Sequence, residues 1–297
     1  MTRSTESHPQ APPREERTRI IEVRGRTILN RTGGFLEGFD YSLQPYRGCQ
    51  LSCAYCYVRE MAVQKTNRYR LPWAEWLEVK VNAPEVLATD AARGRIDGAR
   101  IFCSSSTDPY VPVERRYRIT RDCLEVISRC HPARFVLQTR MPGVLEDAPL
   151  IAAIPNARVH LTITTDNETV RKLLEPDSPS TARRLAMAKE LRGAGIPVIV
   201  TVSPLLPCDP RRLARMIDPV ADGVVIDTFF AGDGAGGQRS RDALLLLERA
   251  GYGGWTRPGY EAEALNVFRM VLGPERVGFS RGGFVKGIPA LDGPGVP

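Results

Sequence analysis

The sequence predicts an α/β fold, a partial (β/α)6 barrel of the TIM-like type, on three observations. Short apolar runs and amphipathic stretches alternate through six units between residues 43 and 272, and regular βα alternation implies parallel strands joined by right-handed crossovers. The runs end in hydroxyl, amide and charged residues, as strand ends do where a parallel barrel gathers its function. Three cysteines, Cys49, Cys53 and Cys56, follow the first run directly.

Residues 1–18 are polar, charged and proline-bearing and read as a disordered tail. The barrel, with an N-terminal flap, is expected over 19–280, and over 281–297 a Gly- and Pro-rich tail that either covers the barrel mouth or, the safer expectation, hangs free. Ile20-Ile-Glu-Val and Thr27-Ile-Leu fit short flap strands, with turns at Gly33, Gly34 and Gly38. Strands are expected at 43–47, 100–104, 134–139, 158–164, 197–203 and 223–228. Helices are expected at 54–65, 83–92, 120–131, 145–153, 180–194, 210–216 and 260–272. In 180–194, Leu185, Ala188 and Leu191 keep helical spacing, and Gly193 and Gly195 close the run. In 158–164, Val159, Leu161 and Ile163 alternate with His160, Thr162 and Thr164. That period puts the first set under helices and the second in the lumen.

The strand ends are Ser104-Ser-Ser-Thr-Asp108-Pro-Tyr110, Gln138-Thr139-Arg140, Thr162 to Thr164, Thr201 with Ser203, and Asp227-Thr228. One hydroxyl in such a place is as readily a helix cap. Five such ends together describe a site for a polar cofactor.

The chain of 297 residues is 42% hydrophobic and 25% charged, an ordinary globular composition that allows one large α/β domain. No apolar run is long enough to span a bilayer, and the N-terminus lacks the apolar core of a secretory signal, so a cytoplasmic location is expected, with no membrane partner. Seven cysteines argue against a full disulfide framework. Cys123 and Cys130 share a helix face and fit buried core positions. The net charge of +7 is compatible with a nucleic-acid partner. Its local concentrations are Arg59, Lys65, Arg68 and Arg70, interleaved with Tyr57, Tyr69, Trp73 and Trp76, and the group Arg115, Arg116, Arg118 and Arg121. Either a phosphate-binding, base-stacking surface or a solvated helix and loop has this composition.

Pro45-Tyr-Arg-Gly-Cys49-Gln-Leu-Ser-Cys53-Ala-Tyr-Cys56 supplies three thiols with no fourth ligand nearby. A closed zinc site takes four protein ligands and an ordinary ferredoxin cluster four cysteines. Three suit a cubane in which one iron is left open for chemistry. The spacing, three residues between the first two cysteines and two between the second and third, resembles the signature of the radical S-adenosylmethionine (SAM) superfamily. The resemblance implies a partial barrel of the radical SAM type, a 4Fe-4S cluster on Cys49, Cys53 and Cys56, and SAM chelated by the open iron. It further implies that one electron cleaves SAM and that a deoxyadenosyl radical removes a hydrogen atom from the substrate. A flavodoxin- or ferredoxin-type electron donor is the implied partner. Tyr55, before the last cysteine, holds the position that lies near the adenine in that superfamily.

Further stretches resemble the spore photoproduct lyase-related branch: Pro-Tyr-Arg-Gly-Cys49, Thr107-Asp-Pro-Tyr-Val-Pro-Val-Glu114, Ile163-Thr-Thr165, Glu175-Pro176 with Pro179-Ser180, and Ala194-Gly-Ile-Pro-Val198 leading to Ser203-Pro-Leu-Leu-Pro207. Within that branch Thr107 falls where a hydroxyl lies near SAM, Arg140 where a lysine meets the SAM carboxylate, and Thr162 where a serine ends the fourth strand. The lyases carry a cysteine as hydrogen-atom donor where this chain has Ser105. Cys103, two residues earlier, is a replacement donor if strand parity carries it to the same side, or a core residue. Ser105, Cys103 and Tyr110 are therefore the substrate-side candidates. The expected activity is that of a lyase-like radical SAM enzyme, with DNA as a candidate substrate. A small molecule or peptide, a non-enzymatic iron–sulfur redox sensor, and a zinc-binding nucleic-acid module are the alternatives.

Overall fold

The computed structural model describes residues 17–288 and Leu291. Its strands are β1 (Arg19–Val23), β2 (Leu29–Arg31), β3 (Tyr41–Leu43), β4 (Tyr46–Cys49), β5 (Trp76–Lys80), β6 (Arg100–Cys103), β7 (Arg134–Thr139), β8 (Ala157–Thr162), β9 (Val198–Val202), β10 (Gly223–Ile226) and β11 (Val277–Phe279). Eight of them form one sheet in the order β11-β10-β9-β8-β7-β6-β3-β2. Every pairing in it is parallel except β2 with β3. The two edge strands do not pair, so the barrel is partial, as expected. A separate three-stranded sheet, β1-β5-β4, lies beside it.

The alternation along β8 places side chains as its period predicts. Val159 and Leu161 join the large core under the helices with Ile101, Leu137 and Val200. On the other face, Phe102, Val136, Ile199 and Val225 form a smaller cluster with Phe39, Phe284 and Ile288. His160 sits among them, about 6 Å from the rings of Phe102 and Phe284. Burial first, then Arg158 and Arg134, push this imidazole down to about 3, so it is neutral. The apolar inner cluster plugs one end of the lumen and leaves the strand C-termini to line an open cavity.

Expected helices 83–92, 120–131, 145–153, 180–194, 210–216 and 260–272 appear as Ala83–Ala92, Ile119–Ile127, Ala148–Ala153, Thr181–Gly193, Pro210–Ile217 and Glu261–Leu272. Three readings are corrected. The expected first strand, 43–47, is two strands, because Gln44 and Pro45 turn the chain from β3 in the barrel to β4 in the small sheet. The expected helix 54–65 is an irregular loop, a 3-10 turn at Tyr57–Glu60 and one helical turn at Ala62–Lys65. Ala54 N–H is drawn to Leu174 O at 2.8 Å, and the backbone bonds that follow close tight local turns, as Cys56 N–H does on Cys53 O at 3.1 Å. The segment expected to hang free begins with a packed helix, Ser280–Val285, and buries Phe284 and Ile288 at 5% and 1% exposure. Residues 289–290 and 292–297 of that tail, and residues 1–16 of the expected N-terminal tail, lie outside the described residues.

Candidate active site

The cysteine loop is held by the residues that precede it. Gly48 has φ +88°, and a Cβ there would stand 2.4 Å from Trp76 O, so only glycine lets β4 approach β5 this closely. Arg47 lies over the Trp76 ring, donates to Val63 O at 3.1 Å and pairs with Glu78 at 3.3 Å. Tyr46 donates to buried Glu114. Beyond Cys49, the Ser52 N–H and hydroxyl both donate to Asp177, at 2.9 and 2.6 Å.

The stretch after β6 is tied to the same loop. Thr107 donates its hydroxyl to Gly48 O at 2.5 Å. Asp108 accepts from Tyr110 N–H (2.9 Å), the Thr139 hydroxyl (2.7 Å) and Arg140 N–H (2.9 Å). Burial raises the Asp108 carboxyl while these donors, and the Arg140 charge, pull it down. Asp108 thus locks the ends of β6 and β7 in register.

Cys49, Cys53, Tyr55 and Cys56 line one cavity of about 610 Å³ with Ser105, Thr107, Arg140 and Thr162. The structure therefore brings together the three expected cluster ligands and the four expected SAM contacts. All seven cysteines are free thiols. Burial raises the motif thiols, Cys53 to about 11 against the opposing pull of Arg140. Donors reach the sulfurs: Leu51 N–H to Cys49 at 3.3 Å and Arg140 Nη1 to Cys53 at 3.3 Å. Among the described residues no group of three or more His, Cys, Asp or Glu closes on a single ion position. A cubane seats each cysteine on a different iron, so its ligands need not converge on one point. Among the described residues no histidine lines the cavity to complete a zinc site. The donor set, three thiols facing a roomy polar cavity, fits an iron–sulfur cluster with an open corner and a polar ligand beside it.

Arg140 Nη1 also donates to Tyr55 Oη at 2.6 Å and to Glu175 Oε1 at 3.1 Å. Glu175 accepts further from the Tyr55 hydroxyl, from Thr164 at 2.8 Å and from Arg184 at 2.7 Å. Burial would raise this carboxyl, but Arg184 and then Arg140 hold it down to about 2. The sequence shows Glu175 only as part of a quoted motif and gives Arg184 no role. Their partners lie 9 to 120 residues away, and no local pattern encodes such pairing.

The substrate-side candidates separate. Ser105 lines the cavity, and its hydroxyl accepts from Gln44 at 2.7 Å. Cys103 does not follow it there. Ser104 has φ +72°, which breaks the strand's alternation, and Cys103 packs in the core at 1% exposure. Burial pushes its thiol up to about 12. Tyr110 is also turned away, donating to Asp147 at 3.1 Å and lining a second pocket of about 350 Å³ on the outer side of the cysteine loop. Asp227, expected among the polar strand ends but given no role of its own, is 2% exposed and lines the main cavity. Burial raises its carboxyl to about 6.

Of the basic aromatic stretch, Lys65, Arg68 and Arg70 are exposed. Trp76 is fully buried and Trp73 packs edge-on against it, so these rings form no stacking platform. Among the described residues no helix is long and apolar enough to cross a membrane.

A family model described as the radical SAM superfamily matches residues 43–217. An uncharacterised protein of Methanocaldococcus jannaschii is 32% identical over 188 residues, 63% of this chain and 68% of that protein. An uncharacterised protein of Mycobacterium tuberculosis is 26% identical over 190 residues, 56% of its own length. A protein of Pseudomonas phage M6 named radical SAM Nalpha-GlyT isomerase is 28% identical over 63% of this chain, but only 38% of the phage protein is covered. Spore photoproduct lyase complexed with dinucleoside spore photoproduct aligns with a TM-score of 0.61 at 15% identity, covering 93% of this chain and 87% of that one. A mutant of that enzyme with bound AdoMet and dinucleoside spore photoproduct aligns with a TM-score of 0.59 at 17% identity, covering 94% and 87%. At such identities the likeness is one of fold.

Proposed function

The chain belongs to the radical SAM superfamily, and we propose that it is an enzyme that binds a 4Fe-4S cluster and SAM and abstracts a hydrogen atom from a nucleic-acid substrate. The observation that carries the chemistry is the convergence of Cys49, Cys53 and Cys56 on one cavity with Tyr55, Thr107, Arg140 and Thr162. When bound, the cluster and SAM supply a deoxyadenosyl radical.

The chain's own residues divide the remaining work. Thr107 donates its proton to Gly48 O, so its oxygen is left as an acceptor for the SAM ammonium. Arg140 presents its remaining N–H groups to the SAM carboxylate. Tyr55 has its hydroxyl occupied by Glu175 and Arg140, which leaves the ring for the adenine. Thr162 shares a hydrogen bond with Thr201 at 3.0 Å and faces the same space. Phe102 and Phe284 line the cavity from the apolar plug and keep water from a carbon radical.

The proposed substrate class rests on the net charge of +7 and on the motifs shared with the lyase-related branch. Among the described residues the cavity is lined by no thiol besides the motif cysteines. A lyase reaction ended by a cysteine hydrogen donor therefore does not fit. The hydrogen that ends the proposed reaction would therefore come from a group other than a cavity thiol of this chain. A flavodoxin- or ferredoxin-type protein is the proposed reductant.

The test is anaerobic reconstitution with iron and sulfide, then SAM and a strong reductant, with and without single-stranded or ultraviolet-irradiated DNA. Deoxyadenosine made by the intact chain, and not by one with all three motif cysteines changed to alanine, is expected. A cluster that assembles but never cleaves SAM under any of these conditions would refute the proposal in favour of a redox sensor. Cleavage that DNA leaves unaltered, with no salt-sensitive DNA binding, would move the substrate to a small molecule or peptide.

A further inference from the structure

Arg140 does more in this structure than face the cavity. Its Nη1 lies 3.3 Å from Cys53 Sγ while the same nitrogen meets Glu175 Oε1 at 3.1 Å and Tyr55 Oη at 2.6 Å. Cys49 receives a neutral backbone donor, from Leu51 N–H. Cys53 receives a guanidinium donor, whose charge the Glu175 carboxylate on the same nitrogen partly offsets.

That charge is fixed in place. The Arg140 side chain is 13% exposed and Glu175 is fully buried. Glu175 in turn is anchored from behind by Thr164 at 2.8 Å and by Arg184, itself fully buried, at 2.7 Å. Arg184 also donates to Thr162 O at 2.9 Å, which ties the anchor to the end of β8. Asp108 holds the Arg140 backbone N–H at 2.9 Å. Both ends of the arginine are therefore fastened by protein groups before any ligand enters.

We propose that Arg140 tunes the cluster: its guanidinium, positioned by Glu175, donates to the Cys53 sulfur and raises the cluster's reduction potential. Reduction adds one electron, supplied by the reductant, to a cluster already carrying negative thiolates. A charge-assisted hydrogen bond to one sulfur stabilises the reduced state more than the oxidised one, and such bonds are among the levers by which proteins set these potentials. Glu175 is a positioning residue in this scheme, acting through Arg140. The inference rests on the cluster reading above and goes beyond it, since it assigns a role to Arg140 before SAM arrives.

The experiment is a redox titration of the reconstituted full chain without SAM, followed by electron paramagnetic resonance, with iron and sulfide content measured in parallel. Three variants are compared with the wild type: Arg140→Met, Arg140→Lys and Thr164→Val. The midpoint potential should fall in Arg140→Met and recover partly in Arg140→Lys. It should fall slightly in Thr164→Val, which loosens Glu175 without altering any charge, and that shift should vanish when Thr164→Val is combined with Arg140→Met. A merely structural Arg140 would lower cluster content without moving the potential of the clusters that form. An unmoved potential in Arg140→Met with full iron content would overturn the inference and leave the cluster reading intact. A wild type that binds no iron would overturn both.

Discussion

Removing Arg184 should be among the costliest single changes that leave the cavity lining untouched. Arg184 and Glu175 both have fully buried side chains, paired at 2.7 Å. The carboxyl falls from 4.5 to about 2 on folding, held there against burial by Arg184 and then Arg140. At about 1.4 kcal/mol per pH unit, that depression is worth about 3 kcal/mol at neutral pH. Removing one partner of a buried pair costs about 3–5 kcal/mol, and the lower end applies because Arg140 stays 3.1 Å from Oε1. Arg184→Met should therefore lose about 3 kcal/mol at pH 7, or roughly 6–12 °C in Tm. The sign with pH follows from the depressed pKa. The wild-type contribution is complete above 4.5 and is lost as the pH falls toward 2. In Arg184→Met the carboxyl has lost its main cation, so it takes up a proton at higher pH and the gap to wild type narrows on acidification. Urea denaturation of the metal-free, reduced protein at pH 7.5 and pH 5 measures both effects. A loss below about 1 kcal/mol, the range of an exposed pair, or a gap that stays constant with pH, would refute the reasoning.

Three other changes separate scaffold from chemistry. Gly48→Ala sets a Cβ 2.4 Å from Trp76 O at φ +88°; the loss of stability should exceed about 2 kcal/mol, and cluster content should fall with it, as iron analysis and denaturation would show. Cys103→Ala should lower stability by about 1–2 kcal/mol and leave deoxyadenosine formation within twofold, because the thiol packs in the core; a large loss of turnover at full stability would restore it as a hydrogen donor. Asp227 has its carboxyl raised from 3.8 to about 6 by burial, so the folded state binds the proton more tightly and loses stability as the pH rises through that window. Asp227→Asn should then stabilise the metal-free protein by about 2–3 kcal/mol above pH 7 and have no effect below pH 4, which thermal melts across that range would check.

What the sequence made legible follows from which physical constraints are local. The period of two along β8 placed Leu161 under the helices and Thr162 in the cavity, because strand parity depends on neighbouring residues alone. The cysteine spacing carried over intact for the same reason. Parity failed at Cys103, where Ser104 adopts a left-handed conformation that nothing in Cys103-Ser-Ser-Ser106 announces. Tyr110 looked like a site residue because it follows a polar strand end, yet its hydroxyl is drawn to Asp147, 37 residues away.

The Glu175 network shows the same limit from the other side. Its members come from the cysteine loop, the ends of β7 and β8 and the helix Thr181–Gly193, and the sequence singles out Tyr55 and Arg140 but gives no sign that Thr164, Glu175 and Arg184 join them. Only the fold brings a carboxylate between two guanidiniums, with one of them against the Cys53 sulfur. A buried charge persists only where partners are supplied, so this arrangement has to be built before the cofactors arrive. The motif stretches Tyr46-Arg-Gly48 and Thr107-Asp108 serve the same end: their contacts run to Glu114, Glu78, Trp76, Gly48 and Thr139, and they hold the thiols and Arg140 in register. Much of what looks like a binding motif in this chain is thus the frame that keeps three sulfurs and one cation in fixed relation, and that fixed relation is what the redox titration of Arg140→Met interrogates.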